Sequence, residues 1–525
     1  MLTTDSIARR KSKLAARRAS LSVEKQAELG RLLTEGGAEN ALVRVIPRRP
    51  QEGPVPLSFA QQRLWFLEQW EPGSAAYNIP VAFRLTGPLE ISALERGLDE
   101  TIRRHESLRT TFATAAGQPV QIVAPNLSLA LPVVDLAGFP EREAEAVRRT
   151  LEEGRRPFDL AAGPLLRITL FRLGEEDHVL ALVIHHIVAD GWSIQLLIQE
   201  VGSLYKAFCA GGPSPLPELP VQYADFAVWQ REWLTGKVWE EHLDYWKRQL
   251  GGKLPTLSLP VDFDRAEEAL NQGGLETFAL SSTLTAALKK LSRQENVTLF
   301  MTLLAGFKNL LYRYTGQTDV VVGTDIANRN RVETEAMIGF FINLLVLRTD
   351  LSGFPTFRQL IARVRETTIG AYKHQDMPFE KLVEELRPGR RLSSSPLLQV
   401  IFGVRNVPQV SLELPGLMLS VLENDEWTAR FDLSVSVREQ SEGLMVHWKY
   451  NADVFSPFTI RTMATHYATL LESAVAQPDA RIGALEMLSD GEKAQRATKK
   501  RTREETNARK FKTIKPQSVS IPALT

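Results

Sequence analysis

Apolar positions follow strand-like and then helix-like spacing in two successive stretches of the chain. In the first, AAYNIPVAFRLTG (75–87) precedes ISALERGLDETIRRHESLRTTF (91–112), where Leu94, Leu98 and Ile102 recur every four residues. This spacing places the three side chains on one face of a helix. In the second, LETFALS (275–281) precedes LTAALKKLSRQENVTLFMTLLAGFKNLLYRYTG (284–316). Both stretches predict a strand, a helix and further strands, which amounts to a loose internal duplication.

The duplication predicts two similarly built α/β halves with a cleft between them. Long apolar runs such as HVLALVIHH and DVVVGTDIA suit strands of sheets that helices cover. Clefts between halves are favoured ligand sites. We expect residues 1–54 to form a linker with a short amphipathic helix at 22–35, residues 55–225 the first half, 226–490 the second half, and 491–525 a basic tail.

Composition and charge exclude several classes of protein. The 525 residues are 24% charged and 44% hydrophobic, which is typical of a globular chain and excludes a collagen-like or wholly disordered one. The single cysteine, Cys209, excludes an internal disulfide and a cysteine-based zinc site. Because no apolar run reaches the roughly 20 residues of a membrane span, and no signal-peptide pattern begins the chain, we expect a cytoplasmic protein.

The net charge of +1 conceals an uneven distribution. Residues 1–20 and 493–515 together hold sixteen Lys and Arg against three acidic residues, which leaves 47 basic and 59 acidic residues in the rest of the chain. An acidic body argues against a nucleic-acid-binding core. We interpret the basic ends as solvated tails or linkers.

Candidate chemistry concentrates in HVLALVIHHIVADGWSIQLLIQEVGSLYKAF (178–208). Two histidines end a buried strand, and because successive strand side chains point to opposite faces, His185 and His186 cannot both line one cleft. One is expected to line the site and the other to support it from the core. Asp190 is placed to cap the following helix or to meet a cation, and Gly191 to allow a tight turn. A neutral imidazole at a strand end suits a general base for acyl transfer.

Three other interpretations of this segment remain open. A histidine is more often structural than catalytic, and a His-His pair with a downstream Asp also suits zinc or iron. Against a metal, adjacent strand histidines diverge and no third ligand recurs at helical spacing. No Gly-x-Ser-x-Gly elbow is present and Cys209 has no histidine near it in sequence, so direct attack on an activated acyl donor is favoured over a covalent acyl-enzyme.

HHIVADGWS (185–193) resembles the His-His-x-x-x-Asp-Gly signature of nonribosomal peptide synthetase condensation domains, whose fold is like that of chloramphenicol acetyltransferase. Further blocks of that family occur in order over roughly residues 55–490. They are LSFAQQRLWFL (57–67), RRHESLRTTF (103–112), YADFAVW (223–229), IGFFINLLVLR (338–348), HQDMPFEKLV (374–383) and SSSPLLQVIF (393–402). The resemblance implies two acetyltransferase-like subdomains in a V-shaped pseudo-dimer with a central tunnel.

The resemblance also implies a reaction. Condensation domains join an acyl or peptidyl thioester on an upstream carrier protein to the amine of an aminoacyl thioester on a downstream carrier. The carriers and other synthetase domains would be the partners, with no nucleic acid or membrane involved. The phosphopantetheine arms would come from the carriers, so no cofactor or metal is expected to be bound by this domain itself.

The family's site residues transfer to this sequence one by one. His186 is expected to act as a general base or to position the amine and the tetrahedral species. His185 and Asp190 are expected to be structural, with Asp190 paired to an arginine of the second half. The candidates for that arginine are Arg329 first and Arg348 second. Gly191 is expected to bring its N–H near the developing oxyanion.

A second group of residues is expected to support the site. Arg63 and Trp65 resemble residues of the site floor. Three further residues are expected to stabilise the interface between the halves: Asn343, Gln375 and Asp376.

The blocks resemble the subtype that takes an L-configured donor and an L-configured acceptor. Leu344 stands where Thr is commoner, which affects the local shape of the tunnel. The aspartates of heterocyclisation relatives and the Ser-Trp order of epimerisation relatives are both missing. Ester formation onto a hydroxyl and a non-catalytic docking platform remain the alternatives. No adenylation or carrier motif follows, which leaves a piece of a longer synthetase or a free-standing enzyme. The linker-like helix at 22–35 and the abrupt end favour the piece of a longer synthetase.

Overall fold

The computed structural model describes residues 46–50, 54–264, 272–386, 398–405, 413–414, 416–422, 429–494, 498 and 502. The helix predicted at 22–35 and most of the basic tail predicted at 491–525 lie outside these residues.

Helices and strands are interspersed along the described part of the chain. No described helix combines the length and apolar character needed to cross a bilayer. The helices are α1 (Phe59–Trp70), α2 (Ile91–Arg104), α3 (Arg142–Arg155), α4 (Gly191–Cys209), α5 (Tyr223–Trp233), α6 (Gly236–Leu250), α7 (Ser282–Gln294), α8 (Leu299–Thr315), α9 (Val332–Glu335), α10 (Phe357–Lys373), α11 (Phe379–Leu386) and α12 (Pro457–Ala476).

The described strands form two large sheets and one small sheet. They are β1 (Val55–Pro56), β2 (Asn78–Thr86), β3 (Thr110–Ala115), β4 (Gln118–Val123), β5 (Val133–Asp135), β6 (Leu166–Gly174), β7 (Asp177–His185), β8 (Gly273–Ser281), β9 (Asp319–Ile326), β10 (Asn343–Asp350), β11 (Val400–Arg405), β12 (Glu413–Leu414), β13 (Leu417–Leu422), β14 (Leu433–Gln440) and β15 (Gly443–Asn451).

The first large sheet has the strand order β12-β13-β2-β7-β6-β5, and β1-β4-β3 form a small separate sheet. Helices cover both faces of the large sheet, as the apolar run in β7 predicts. Leu180 and Leu182 of β7 share a core with the Leu94, Leu98 and Ile102 face of α2. The alternate residues Val179 and Ala181 pack with Ala146 of α3 on the opposite face.

The second large sheet has the order β10-β9-β11-β14-β15-β8 and carries its own core. At the centre of that core, Phe307 of α8 stacks on Phe402 of β11, with ring centroids 5.0 Å apart. A Cβ on Gly306 would come within 2.5 Å of the side chain of Leu471, so glycine lets α8 approach α12 closely.

The helical run predicted from residue 284 to 316 is divided into α7 and α8. Asn296 between them has a φ of 54°, in the left-handed region that ends helices. Thr298 then begins α8 by accepting a hydrogen bond from the backbone N–H of Met301. The break is therefore set by two polar residues between two apolar stretches.

Segments of the second half enter the first half in two places. β13 pairs antiparallel with β2, where Leu419 faces Leu85 and is buried in the first core. Residues 337–341 also pack into that core. The predicted boundary between residues 225 and 226 falls inside α5, whose Phe226 and Trp229 belong to the first core, so the first half continues through that helix.

Candidate active site

His185 and His186 end β7 and have different surroundings, as strand alternation predicts. His185 is 2% exposed and packs edge-on against Phe158, with centroids 6.1 Å apart. Its Nδ1 accepts a hydrogen bond from the N–H of Ile187 at 3.2 Å. His186 is half-buried, and its ring packs in an edge-on arrangement with that of Phe340 from the second half, with ring centroids 4.8 Å apart. His186 is therefore the histidine that lies where the halves meet.

The hydrogen bonds of His186 fix its orientation and its tautomer. Its backbone N–H donates to the carbonyl of Tyr77 at 2.8 Å. Its Nδ1 lies 2.9 Å from the carbonyl oxygen of Ala189, and because that oxygen only accepts, Nδ1 carries the proton. Nε2 then holds a lone pair, and no hydrogen-bond partner for it lies within the described ranges.

Both histidines are held in the neutral form. Burial and, to a smaller extent, the charge of Arg430 lower the pKa of His186 to about 4, although Asp190 opposes the shift. Burial, with smaller contributions from His186 and Arg430, lowers the pKa of His185 to about 3. Near neutral pH the lone pair on His186 Nε2 is therefore available as a hydrogen-bond or proton acceptor.

Asp190 joins the start of α4 to the second half. One carboxylate oxygen accepts from the N–H and the hydroxyl of Ser193, each at 2.8 Å, and the other accepts from the N–H of Phe341 at 3.0 Å. Arg329 donates to the same carboxylate at 3.1 Å, which confirms the predicted first partner.

Arg329 is itself buried in this cluster. Its guanidinium donates to the carbonyls of Thr334 and, at 2.6 Å, Met337, and lies 4.2 Å from the ring of Phe341. Burial lowers the pKa of Arg329, and the nearby charge of Asp190 opposes that shift. The cluster fixes residues 329–341 against the helix that follows the two histidines.

The second candidate for the partner of Asp190, Arg348, is wrong. Arg348 lies on β10 and binds Asp319 on the neighbouring strand β9 at 2.8 Å. It also donates to the carbonyl of Gly251 at 2.9 Å. Its strand position directs it to the edge of the second sheet, away from the histidines.

Gly191 does not form the predicted tight turn. It is the first residue of α4, its φ lies outside the left-handed region, and a Cβ built on it would meet no atom within 4 Å. The residue is exposed and lies in open space at the helix start. The lack of a side chain therefore leaves room beside the helix N-terminus, and the predicted role of its N–H stays a prediction.

Arg63 and Trp65 lie on α1 and have different neighbours. Arg63 donates to Glu380 of α11 at 3.1 Å and lies 5.9 Å from the ring of Phe379, so it bridges the two halves. Trp65 packs on the first core and meets Phe66 edge-on at 5.3 Å. A role for either residue at the site floor stays a prediction.

Asn343, Gln375 and Asp376 make their hydrogen bonds inside the second half rather than across the interface. Asn343 donates to the carbonyls of Gln375 and Met377, both at 2.8 Å. Asp376 accepts from Asn330 at 2.9 Å. These bonds hold the turn before α11, and on that helix Glu380 accepts a hydrogen bond from Arg63 of the first half.

A small cleft lies between the halves beside Phe340. Tyr223 connects two lining residues, because its hydroxyl donates to the carbonyl of Phe340 at 2.6 Å and forms a hydrogen bond with the Ser58 hydroxyl at 2.8 Å. Its lining comes from both halves and includes Ser58, Gln230, Asn328, Phe340, Asn343, Asp376 and Glu380. Phe340 lines this space and its ring also contacts the ring of His186.

Several residues of this region were not predicted from the sequence. Ser193 and Glu380 lie inside the quoted blocks, so their motif positions offered a signal. Tyr77 and Arg430 offered none, because only the fold brings residues so distant in sequence to His186. Among the described residues, no group of three or more His, Cys, Asp and Glu side chains is placed to hold a metal ion.

Comparison with known proteins gives consistent matches over most of the chain. Residues 51–496 match the family model described as Condensation domain. A linear gramicidin synthase protein of Brevibacillus parabrevis is 50% identical over 450 residues, which cover 85% of this chain and 6% of that protein. A chondramide synthase of Chondromyces crocatus is 45% identical over 465 residues, which cover 88% of this chain and 12% of that protein. The chain thus corresponds to a small part of the length of either relative.

Solved structures share the fold. One is the complex of the X-domain and OxyB from teicoplanin biosynthesis, with a TM-score of 0.77 and 30% identity over 85% of this chain and 98% of that one. Another is the first condensation domain of the calcium-dependent antibiotic synthetase in complex with a substrate analogue. Its TM-score is 0.70 at 22% identity, over 84% of this chain and all of that one. The predicted pair of chloramphenicol acetyltransferase-like halves is confirmed.

Proposed function

The chain belongs to the condensation-domain family of nonribosomal peptide synthetases, and from that premise we propose that it forms an amide bond between two carrier-bound substrates. The donor is an acyl or peptidyl thioester on an upstream carrier protein, and the acceptor is the amine of an aminoacyl thioester on a downstream carrier. Both thioesters are carried by phosphopantetheine arms that belong to the carriers. The donor and the acceptor both have the L configuration.

The reaction needs one proton acceptor and one site for negative charge. The acceptor nitrogen attacks the thioester carbonyl carbon, the carbonyl oxygen becomes an oxyanion, the nitrogen loses a proton, and the C–S bond breaks to release the donor thiol. In our proposal, His186 Nε2 accepts the hydrogen bond from the attacking amine, takes its proton and then returns that proton to the departing sulfur. The free lone pair on Nε2 carries the proposal, since Tyr77 holds the backbone of His186 and Ala189 holds its ring through Nδ1.

The start of α4 is the proposed site for the oxyanion. The N–H groups of a helix's first turn lack partners within the helix, and the helix dipole favours negative charge there. Gly191 lies at this position in open space, five residues after His186. Its N–H donates to the developing oxyanion in our proposal.

Positioning of the two tethered substrates supplies the rest of the rate. An amine and a thioester react readily once they are held at attack distance, and good orientation alone can contribute effective molarities of about 10⁵ M or more. The cleft between the halves is the proposed passage in which the two arms meet. A His186 variant should therefore be slow without being wholly inactive.

Two alternatives have their own support. The same imidazole suits a hydroxyl acceptor, which would give an ester. The fold also occurs in the X-domain that was solved in complex with OxyB, which supports a docking platform for another protein. The buried pair of Asp190 and Arg329 beside His186 favours catalysis over that platform.

One experiment separates the three functions. Donor carriers loaded with L- or D-configured acyl groups are mixed with acceptor carriers loaded with a matched amino acid or hydroxy acid, and products are measured by mass spectrometry. Amide from the L donor supports the proposal, and ester alone supports the hydroxyl alternative. If loaded carriers bind but neither product forms, the protein is a docking platform.

A further inference from the structure

Arg430 connects the second half to the turn beside the histidines. It lies between β13 and β14 of the second half and is exposed. Its Nη2 donates to the carbonyl of Ala76 at 3.0 Å, and its guanidinium lies 4.7 Å from the centroid of the Tyr77 ring. Both contacts are with the first half, at the start of β2.

The turn that Arg430 holds is also the one that holds His186. The carbonyl of Tyr77 accepts a hydrogen bond from the backbone N–H of His186 at 2.8 Å. The next residue, Asn78 of β2, pairs with His185 of β7 in the sheet. The side chain of Asn78 donates to the carbonyls of Gly154 and Arg156, each at 2.8 Å. Arg430 thus binds the carbonyl of Ala76, and the next residue, Tyr77, binds the backbone of His186.

Arg430 differs from the other arginines near the site in having no anionic partner. Arg329 pairs with Asp190 and Arg63 with Glu380, so their charges are compensated. Within the part of the chain that the structure describes, Arg430 contacts no carboxylate. No described carboxylate therefore offsets its charge.

The charge of Arg430 acts on both histidines, lowering the pKa of His186 and of His185. A cation close to an imidazole disfavours the imidazolium form. Asp190 opposes the effect of Arg430 on His186, and the adjacent His185 is the neighbouring titratable group. Tyr77 and Arg63 act in turn on Arg430, and Arg63 is paired with Glu380.

We propose that Arg430 is a positioning residue that acts through His186. From the second half, it anchors the Ala76–Tyr77 turn that holds the histidine backbone, and it adds a positive charge that acts on the imidazole. This inference rests on the proposed function of His186 as the proton acceptor. The packing of the two halves against each other then sets both the position and the protonation state of His186.

The first test uses the protein alone. The pKa of His186 is measured by NMR on histidine-labelled protein, with the signal assigned from its loss in His186→Gln. Arg430→Gln should raise that pKa by about one unit, because one nearby charge is removed. Arg430→Lys keeps the charge and should stay near the wild-type pKa. Arg461→Gln, at an exposed arginine paired with Glu276, is the matched control and should change nothing.

Tyr77→Leu provides a second variant in case Arg430→Gln does not fold. It removes the ring below the guanidinium and should shift the pKa of His186 in the same direction. An unchanged pKa in Arg430→Gln, or the same shift in Arg430→Lys as in Arg430→Gln, would overturn the inference. If Arg430 had only a structural role, the pKa of His186 would be the same in Arg430→Lys as in Arg430→Gln.

The second test uses loaded carriers and separates this inference from the proposed function. In Arg430→Gln, the acid limb of the pH profile of turnover should move to higher pH by the shift seen in NMR. In Arg430→Lys, the acid limb should stay at its wild-type pH. A pKa shift without turnover in any variant, including wild type, refutes the proposed function but supports the link between Arg430 and His186. Turnover with an unmoved acid limb refutes the inference alone.

Discussion

Asp190 is a buried carboxylate whose charge is balanced by a single buried arginine. The side chains of Asp190 and Arg329 are each 2% exposed. Removing one member of a buried ion pair leaves the other uncompensated, which typically costs about 3–5 kcal/mol. Because Asp190 also accepts from Ser193 and Phe341, we expect the lower end of that range.

Arg329→Met should therefore lower the free energy of unfolding by about 3 kcal/mol. Arg348→Met is the matched control, since that arginine and its partner Asp319 are 22% and 39% exposed. Exposed pairs contribute about 0–1 kcal/mol, so the control should remain near wild type. Urea unfolding measures both, and equal losses in the two variants would contradict this account of Asp190.

The buried neutral histidines predict a loss of stability in acid. Unfolded histidine protonates below about pH 6.5, whereas the lowered pKa keeps folded His185 neutral until about pH 3. Unfolding therefore takes up a proton in this window, and the free energy of unfolding falls as the pH falls, by up to about 1.4 kcal/mol per pH unit for each such group.

His185→Asn should flatten this dependence. Asparagine can still accept from the N–H of Ile187 but does not titrate. We expect the slope of the unfolding free energy against pH to decrease by about 1 kcal/mol per unit between about pH 4 and pH 6. Urea titrations at several pH values measure the slope, and an unchanged slope would show that His185 titrates normally in the folded protein.

Gly191→Ala tests whether Gly191 at the start of α4 contributes to turnover without contributing to stability. Its backbone has an ordinary φ and its Cβ would meet no atom within 4 Å, so the fold should tolerate alanine with a change within about 0.5 kcal/mol. Turnover should fall, because the methyl group enters the space proposed for the oxyanion. Thermal unfolding and turnover are compared on one preparation, and full activity would remove Gly191 from the site.

At the residue scale, local patterns predict the histidine pair but not all of the residues that contact it. Strand alternation was sufficient to separate His185 from His186. The choice between Arg329 and Arg348 required the fold, because the two arginines differ in whether a strand or a loop carries them. Tyr77 and Arg430 reach His186 only through contacts between distant parts of the chain.

At the element scale, β13 links the two halves by joining the sheet of the first. Leu419 on this strand is 8% exposed and packs in the first core, whereas its neighbour Met418 is 72% exposed. Leu419→Ala should lower the free energy of unfolding by about 2–3 kcal/mol through lost burial and a residual cavity. Met418→Ala on the same strand should change it by less than about 0.5 kcal/mol.

Denaturant unfolding followed by tryptophan fluorescence measures both β13 variants. Equal stability of the two would mean that β13 does not contribute to the first core in solution.

Helices and strands differ in how far the sequence predicts them. Residues 284–316 carry helical spacing throughout, yet Asn296 and Thr298 divide the run into α7 and α8. The alternating residues of β13 are typical of a strand, but nothing in that pattern identifies β2 as its partner. Strand pairing over more than 300 residues depends on the whole fold, which local periodicity does not contain.

At the scale of the whole molecule, the duplicated pattern correctly predicts two similar α/β halves. It does not predict that β13 and residues 337–341 of the second half enter the first core. These exchanges, with the Asp190–Arg329 and Arg63–Glu380 pairs, hold the two halves together around His186. The proposed chemistry therefore depends on the docking of the halves as much as on the histidine motif itself.

The most direct test of the central claim is the single-turnover rate of amide formation in His186→Ala with both carriers loaded. We expect a rate about 10²–10⁴-fold below wild type, the usual contribution of a positioned acid–base group, with residual turnover from substrate positioning. His447→Ala on β15 of the second sheet is the control and should retain the wild-type rate. A His186→Ala rate equal to wild type, on carriers that bind normally, would contradict the account.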